Sequence, residues 1–129
     1  MKRLVIDTSV IIDFLRRPDK ANSLLYKVAE EELYISIITH TELYAGKSVW
    51  EDNNAKEAVQ KVLEGMSLVP LDELISQEAG HIRSYTNASL IDAIVAATSV
   101  VLEMELVTFN TKDFEKAESI KLFEYSYLI

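Results

Sequence analysis

Cysteine is absent from the 129 residues, which removes disulfides, thiolate–zinc sites and thiol nucleophiles together. Proline occurs twice, at Pro18 and Pro70, and glycine three times, and neither a linker nor a low-complexity segment nor an internal repeat is visible. No apolar run approaches the roughly 18 residues that a membrane span needs. Lys2 and Arg3 precede an apolar stretch, but Asp7 and Asp13 interrupt it and no small-residue cleavage site follows; a signal peptide is not expected. Also missing are a Ser-x-Gly nucleophile elbow, a phosphate-binding P-loop and a His-x-x-x-His zinc pair. Basic residues are scarce, with 13 Lys and Arg against 21 Asp and Glu and a net charge of −8. Phosphate binding usually leaves a basic footprint, so charge alone argues against a nucleic-acid protein and for metal-binding carboxylates or a basic partner.

The composition, 49% hydrophobic and 26% charged, is that of a globular cytoplasmic protein with one domain over residues 1–129 and one sizeable core. Its pattern alternates strand and helix. Strands are predicted at 2–6, 33–39, 67–71 (an edge strand, because it holds Pro70), 106–109 and 120–125. Helices are predicted at 9–16, 21–31, 41–50, 54–64 (closed by Gly65), 73–84, 89–103 and around 113–118. Strands separated by helices imply an α/β fold, a central mostly parallel sheet flanked by helices on both faces. Such sheets gather chemistry beyond the carboxyl ends of their strands, where Asp7, Glu42 and Asn110 fall.

Each acid also has a purely structural account. Asp7 can accept hydrogen bonds at a helix start. Thr39-x-x-Glu42 has the spacing of a capping box, as does Ser89-x-x-Asp92, although Asp92 precedes the almost wholly apolar "AIVAAT". Asp13 stands three and four residues before Arg16 and Arg17, a favourable ion-pair spacing. Asp113 sits near a helix start, where the dipole favours an acid. The combination says more than any single residue. Several carboxylates converging on one sheet edge repel one another, and a hard cation such as Mg²⁺ relieves that conflict in a way that suits phosphodiester chemistry.

"VIDTSVIIDFL", "TELYAG", "LIDAIVAAT" and "LVTFNTKDFEK" resemble, in order and spacing, the motifs of PIN (PilT N-terminus) domain proteins, and most of all the VapC-type toxin ribonucleases of VapBC toxin–antitoxin pairs. The resemblance runs from Leu4 to about Phe123. It implies a three-layer α/β/α fold and a Mg²⁺- or Mn²⁺-dependent endoribonuclease, usually dimeric and silenced by a small VapB-type antitoxin. Carried over by motif, Asp7, Glu42 and Asp92 form the acidic centre, with Asp7, Asp92 and Glu42 as metal ligands and Thr8 and Ser9 in support. The chain departs from the fullest pattern at the fourth acid, where Asn110 stands; Asp113 is the candidate substitute, and Asp13 a further one at the mouth of the site. Arg16, Arg17, Lys20, Lys47 and Lys112 are candidate RNA contacts. Two other readings stay open: a catalytically weak or inactive binding module of the same fold, and a nuclease directed at DNA.

Overall fold

The computed structural model describes residues 1–128. Four parallel strands, β1 (Arg3–Ile6), β2 (Glu32–Ser36), β3 (Met66–Val69) and β4 (Glu105–Val107), lie in the order β3-β2-β1-β4. The chain steps outward from β1 to β2 to β3, then returns to place β4 on the other side of β1. The strand order therefore reverses between β1 and β4, and in open α/β sheets the crevice at such a reversal takes ligands.

Alternation within the strands divides the core. Leu4, Ile6, Leu33, Ile35 and Val107 point to one face, covered by α1 (Thr8–Arg16), α2 (Leu24–Lys27) and the inner sides of α3 (Ile37–Tyr44), α4 (Lys47–Glu51) and α5 (Asn53–Glu64). Val5, Tyr34 and Leu106 point to the other, under α6 (Glu73–Tyr85) and α7 (Leu90–Val101). Helices cover both faces, as the alternation of elements predicts. The edge position of β3 agrees with the proline that follows it.

Several boundaries differ from the sequence pattern, each for a local reason. The segment 21–31 is a short 3-10 turn, Lys20–Asn22, and then α2. Buried Ser23 breaks it, donating to the Lys20 carbonyl at 2.6 Å while accepting from Tyr26 N–H at 3.2 Å, because a serine that satisfies nearby backbone groups competes with continuous helix. The β-branched run 33–39 leaves the sheet at Ser36, whose hydroxyl caps α3 by accepting from Ile38 N–H at 3.1 Å. The predicted helix 41–50 is two helices, parted at Ala45 and Gly46. Gly65 ends α5 at φ −87° rather than in the left-handed conformation. Residues 113–118 form only the end of the 3-10 turn Thr111–Asp113 followed by hydrogen-bonded turns. In place of a strand at 120–125 there is one parallel bridge, Leu106 to Leu122. Two backbone bonds hold it, Leu106 N–H to Lys121 C=O at 2.8 Å and Phe123 N–H to Leu106 C=O at 2.9 Å.

Candidate active site

The end of β1 shows why a carboxylate interrupts an apolar run. Leu4, Val5 and Ile6 are fully buried, and Asp7 N–H adds a last rung by donating to Val107 C=O at 2.9 Å. Asp7 then takes the N-cap position of α1, yet its side chain accepts no helix amide. Its Oδ2 instead accepts from Ser9 Oγ at 2.6 Å and Thr108 Oγ1 at 2.8 Å. A carboxylate only 4% exposed needs such partners. Both hydroxyls fall on one oxygen, and among the described residues Oδ1 has no hydrogen-bond donor.

The hydroxyls are themselves held. Ser9 Oγ accepts from Phe109 N–H at 3.3 Å, and Thr108 Oγ1 from Asn110 N–H at 3.0 Å. Thr108 is fully buried at the end of β4, so the two strand ends that flank the topological reversal are tied together through Asp7.

Glu42 is not a capping residue. Helix α3 begins at Ile37, which puts Thr39 inside it, buried, and corrects the capping-box reading of Thr39-x-x-Glu42. Thr8 donates to Glu42 Oε1 at 2.6 Å and sits 3.2 Å from the Thr39 hydroxyl. The start of α1 thereby fixes one oxygen of Glu42 and leaves the other.

Asp92 lies in the first turn of α7, where its N–H donates to the capping Ser89 Oγ at 3.1 Å. Burial pushes its carboxyl above the usual carboxylate range, and the charges of Asp7, Asp113 and Glu42 push the same way against a hydrogen bond from Ser89 that lowers it. Asp7, Glu42, Asp92 and Asp113 therefore share one electrostatic neighbourhood. Among the described residues none of them forms an ion pair with lysine, arginine or histidine.

The remaining sequence candidates separate. Asp13 is paired with Arg17, whose Nε lies 3.0 and 3.1 Å from its two oxygens, and the same guanidinium reaches Asp19 at 3.4 Å. Lys20 Nζ donates to the carbonyls of Phe14, Leu15 and Arg17. Arg16 lines an apolar groove of about 260 Å³ with Ile12, Leu15 and Leu43, opening beside Glu42. Lys47 is exposed at the start of α4, and Asn110 and Asp113 are exposed after β4. Lys112 borders a different, polar cleft. Thr108 is absent from the sequence candidates, since a threonine after a strand reads simply as another β-branched residue.

The arrangement suits a divalent cation. Among the described residues it offers an oxygen without a donor on Asp7, a second on Glu42 and a carboxylate on Asp92 whose proton affinity is already raised, with no basic side chain paired to any of them. Among the described residues no three acidic or histidine side chains stand close enough to enclose an ion together. A cation here would be held by one or two of these carboxylates and by waters, the coordination that Mg²⁺ ordinarily takes.

A family model described as PIN domain matches residues 4–119. Ribonuclease VapC10 of Mycobacterium tuberculosis (strain ATCC 25618 / H37Rv) is 28% identical to the chain over 124 residues, covering 92% of this chain and 90% of that protein. A toxin–antitoxin complex from Klebsiella pneumoniae contains a similar chain, with 24% identity, a TM-score of 0.74 and coverage of 91% of this chain and 94% of that one. DNA-bound VapBC from Salmonella typhimurium gives 19% identity, a TM-score of 0.78 and coverage of 97% and 99%. At these identities the solved structures speak to the fold alone.

Proposed function

The chain belongs to the PIN domain family, and from that we propose that it is a metal-dependent endoribonuclease, the toxin of a pair silenced by a VapB-type antitoxin. One observation carries the reading: a buried Asp7 grouped electrostatically with Glu42, Asp92 and Asp113 and left without a basic partner. A structural acid cluster of this kind would ordinarily recruit a lysine or arginine. The similarity to ribonuclease VapC10 supports the substrate class, and a fold shared with chains from toxin–antitoxin complexes, a VapBC complex among them, is consistent with the partner.

Asp7, Asp92 and Glu42 would hold the cation, one or two of them directly and the rest through its waters. When bound, Mg²⁺ or Mn²⁺ offsets charge on the phosphodiester and lowers the pKa of a water. The chain's own residues do the rest. Ser9 and Thr108 fix Asp7 so that Oδ1 faces the site, and Thr8 fixes Glu42 so that Oε2 is free to orient a water or take its proton. Ser89 anchors Asp92 at the start of α7, and hydrogen-bonded carriers of this kind keep ligating carboxylates from drifting.

The test is cleavage of total RNA, with single-stranded DNA alongside, by purified antitoxin-free protein in Mg²⁺, Mn²⁺ and EDTA. RNA cutting that needs the metal and is lost in Asp7→Asn is the expected result. Cutting of DNA alone would move the reading to a DNA nuclease. No cutting of either polymer by folded, cation-loaded protein would leave a binding module.

A further inference from the structure

An acidic nuclease still has to hold a polyanion. Lys112 and Lys116, on the segment after β4, face Tyr85, Thr86 and Asn87 of the α6–α7 connection across a cleft of about 480 Å³, with Ser84 and Asp113 also on its walls. In a chain with 13 basic against 21 acidic residues, several cations are engaged elsewhere: Lys2 with Glu105, Arg17 with Asp13 and Asp19, Lys20 and Lys27 with backbone carbonyls, and Arg3 and Lys56 over the rings of Tyr34 and Trp50. Among the described residues Lys112 and Lys116 have no such partner, and neither does the Asn87 side chain. Tyr85 adds an aromatic surface, 41% exposed and steadied by the His81 ring at a centroid distance of 5.1 Å.

We propose that this cleft is a subsite for the substrate strand, with Lys112 and Lys116 contacting backbone phosphates and Tyr85 stacking on a base beside the scissile bond. The inference rests on the ribonuclease reading and says where the strand lies. Free cations along a groove with an exposed aromatic form the working surface of single-strand binders. The cleft also lies beside the start of α7: Asn87 on its wall closely precedes the helix that carries Asp92 in its first turn, and Asp113, also on its wall, raises the Asp92 carboxyl by its charge. Asp113 thus marks the border between the region that attracts phosphate and the region that attracts the cation. A strand laid from one to the other meets both in sequence.

Binding of a fluorescein-labelled single-stranded RNA of mixed sequence, followed by anisotropy in EDTA across a salt series, tests this without any cutting. Each phosphate neutralised adds about 0.7 to the slope of log K against log salt for a single strand. Lys112→Gln with Lys116→Gln is expected to lower the slope by about 1.4, while Lys61→Gln with Lys121→Gln leaves it unchanged. Tyr85→Ala is expected to weaken binding about fivefold or more at an unaltered slope. Equal slopes for wild type and both lysine pairs would overturn the subsite, and if wild type still cuts RNA the nuclease reading survives that loss. Failure of wild type to bind the RNA at all would overturn the subsite, and joined to uncut total RNA it would remove the nuclease reading too.

Discussion

A single oxygen atom, Asp7 Oδ2, carries two hydroxyl donors, and this division of labour within one carboxylate sets the residue-scale expectations. Thr108→Val keeps the shape of the side chain but removes the 2.8 Å bond to Asp7 and the acceptor for Asn110 N–H. Leaving buried polar groups short of partners costs about 1–3 kcal/mol, to be read from urea denaturation in EDTA. Because the lost donor orients a ligand, Mn²⁺ affinity measured by calorimetry should also fall, by about 10- to 100-fold. Asp92 behaves in the opposite sense. Its carboxyl holds a proton to higher pH than the ordinary aspartate value of 3.8, so the folded state binds more protons than the unfolded chain in that window. Its contribution to stability is present below the ordinary value and is lost as pH rises through the raised one. In EDTA, Asp92→Asn should therefore gain on wild type as pH rises from the ordinary value through the raised one, and the difference should level off above it. Parallel denaturation curves over a pH series would show it, and a difference independent of pH would contradict a carboxyl raised by its burial and by the neighbouring acids.

At the scale of elements, α7 shows how a helix is closed without the usual glycine. Glu103 has φ 56°, while Glu103 N–H donates to Val100 C=O at 3.2 Å and Met104 N–H to Ser99 C=O at 2.9 Å, the pair of bonds that ends a helix in a left-handed residue. A side chain in that conformation is strained by about 1–2 kcal/mol. Glu103 is exposed, so Glu103→Gly should stabilise the fold by about 0.5–1 kcal/mol after the entropy of glycine is set against the relief. The urea midpoint should rise at unchanged slope, and a falling midpoint would show that Glu103 makes compensating contacts. The same scale explains what the sequence disclosed. Strand β1 was legible because Leu4, Val5 and Ile6 form a short buried run, and Asp7, Glu42 and Asp92 were singled out because they follow predicted strands or open predicted helices, the places where this architecture gathers chemistry. The end of β2 was not: Ile37, Ile38 and Thr39 have strand propensity, but the Ser36 cap and the burial of Thr39 and Leu43 in α3 prevail over propensity. Thr39-x-x-Glu42 then imitated a cap that does not exist. Thr108 and the Lys112–Lys116 cleft depend on segments distant in sequence, and no local pattern announces which side chains will meet there.

For the whole molecule, charge and the acidic centre act together. A chain of net charge −8 is destabilised in its compact state by self-repulsion, so any cation stabilises it by screening, within a Debye length of about 8 Å at physiological ionic strength. Specific binding differs from screening by its mass-action form: a cation that binds only the folded state adds about 2.7 kcal/mol at a hundredfold excess over its Kd. Thermal melts of wild type should therefore rise with MgCl₂ or MnCl₂ beyond the rise in NaCl at matched ionic strength. Asp7→Asn should follow the NaCl curve in both salts, because it removes the negative charge of the carboxylate that α1, β1 and β4 jointly hold. A residue remote from the centre, such as Glu57 on exposed α5 surface, should behave as wild type when changed to Gln, although it alters net charge by the same amount. If Asp7→Asn and Glu57→Gln shift alike, the divalent effect is general screening and the four grouped carboxylates hold no ion. If they part, the acid that interrupts the first strand is where the cation binds.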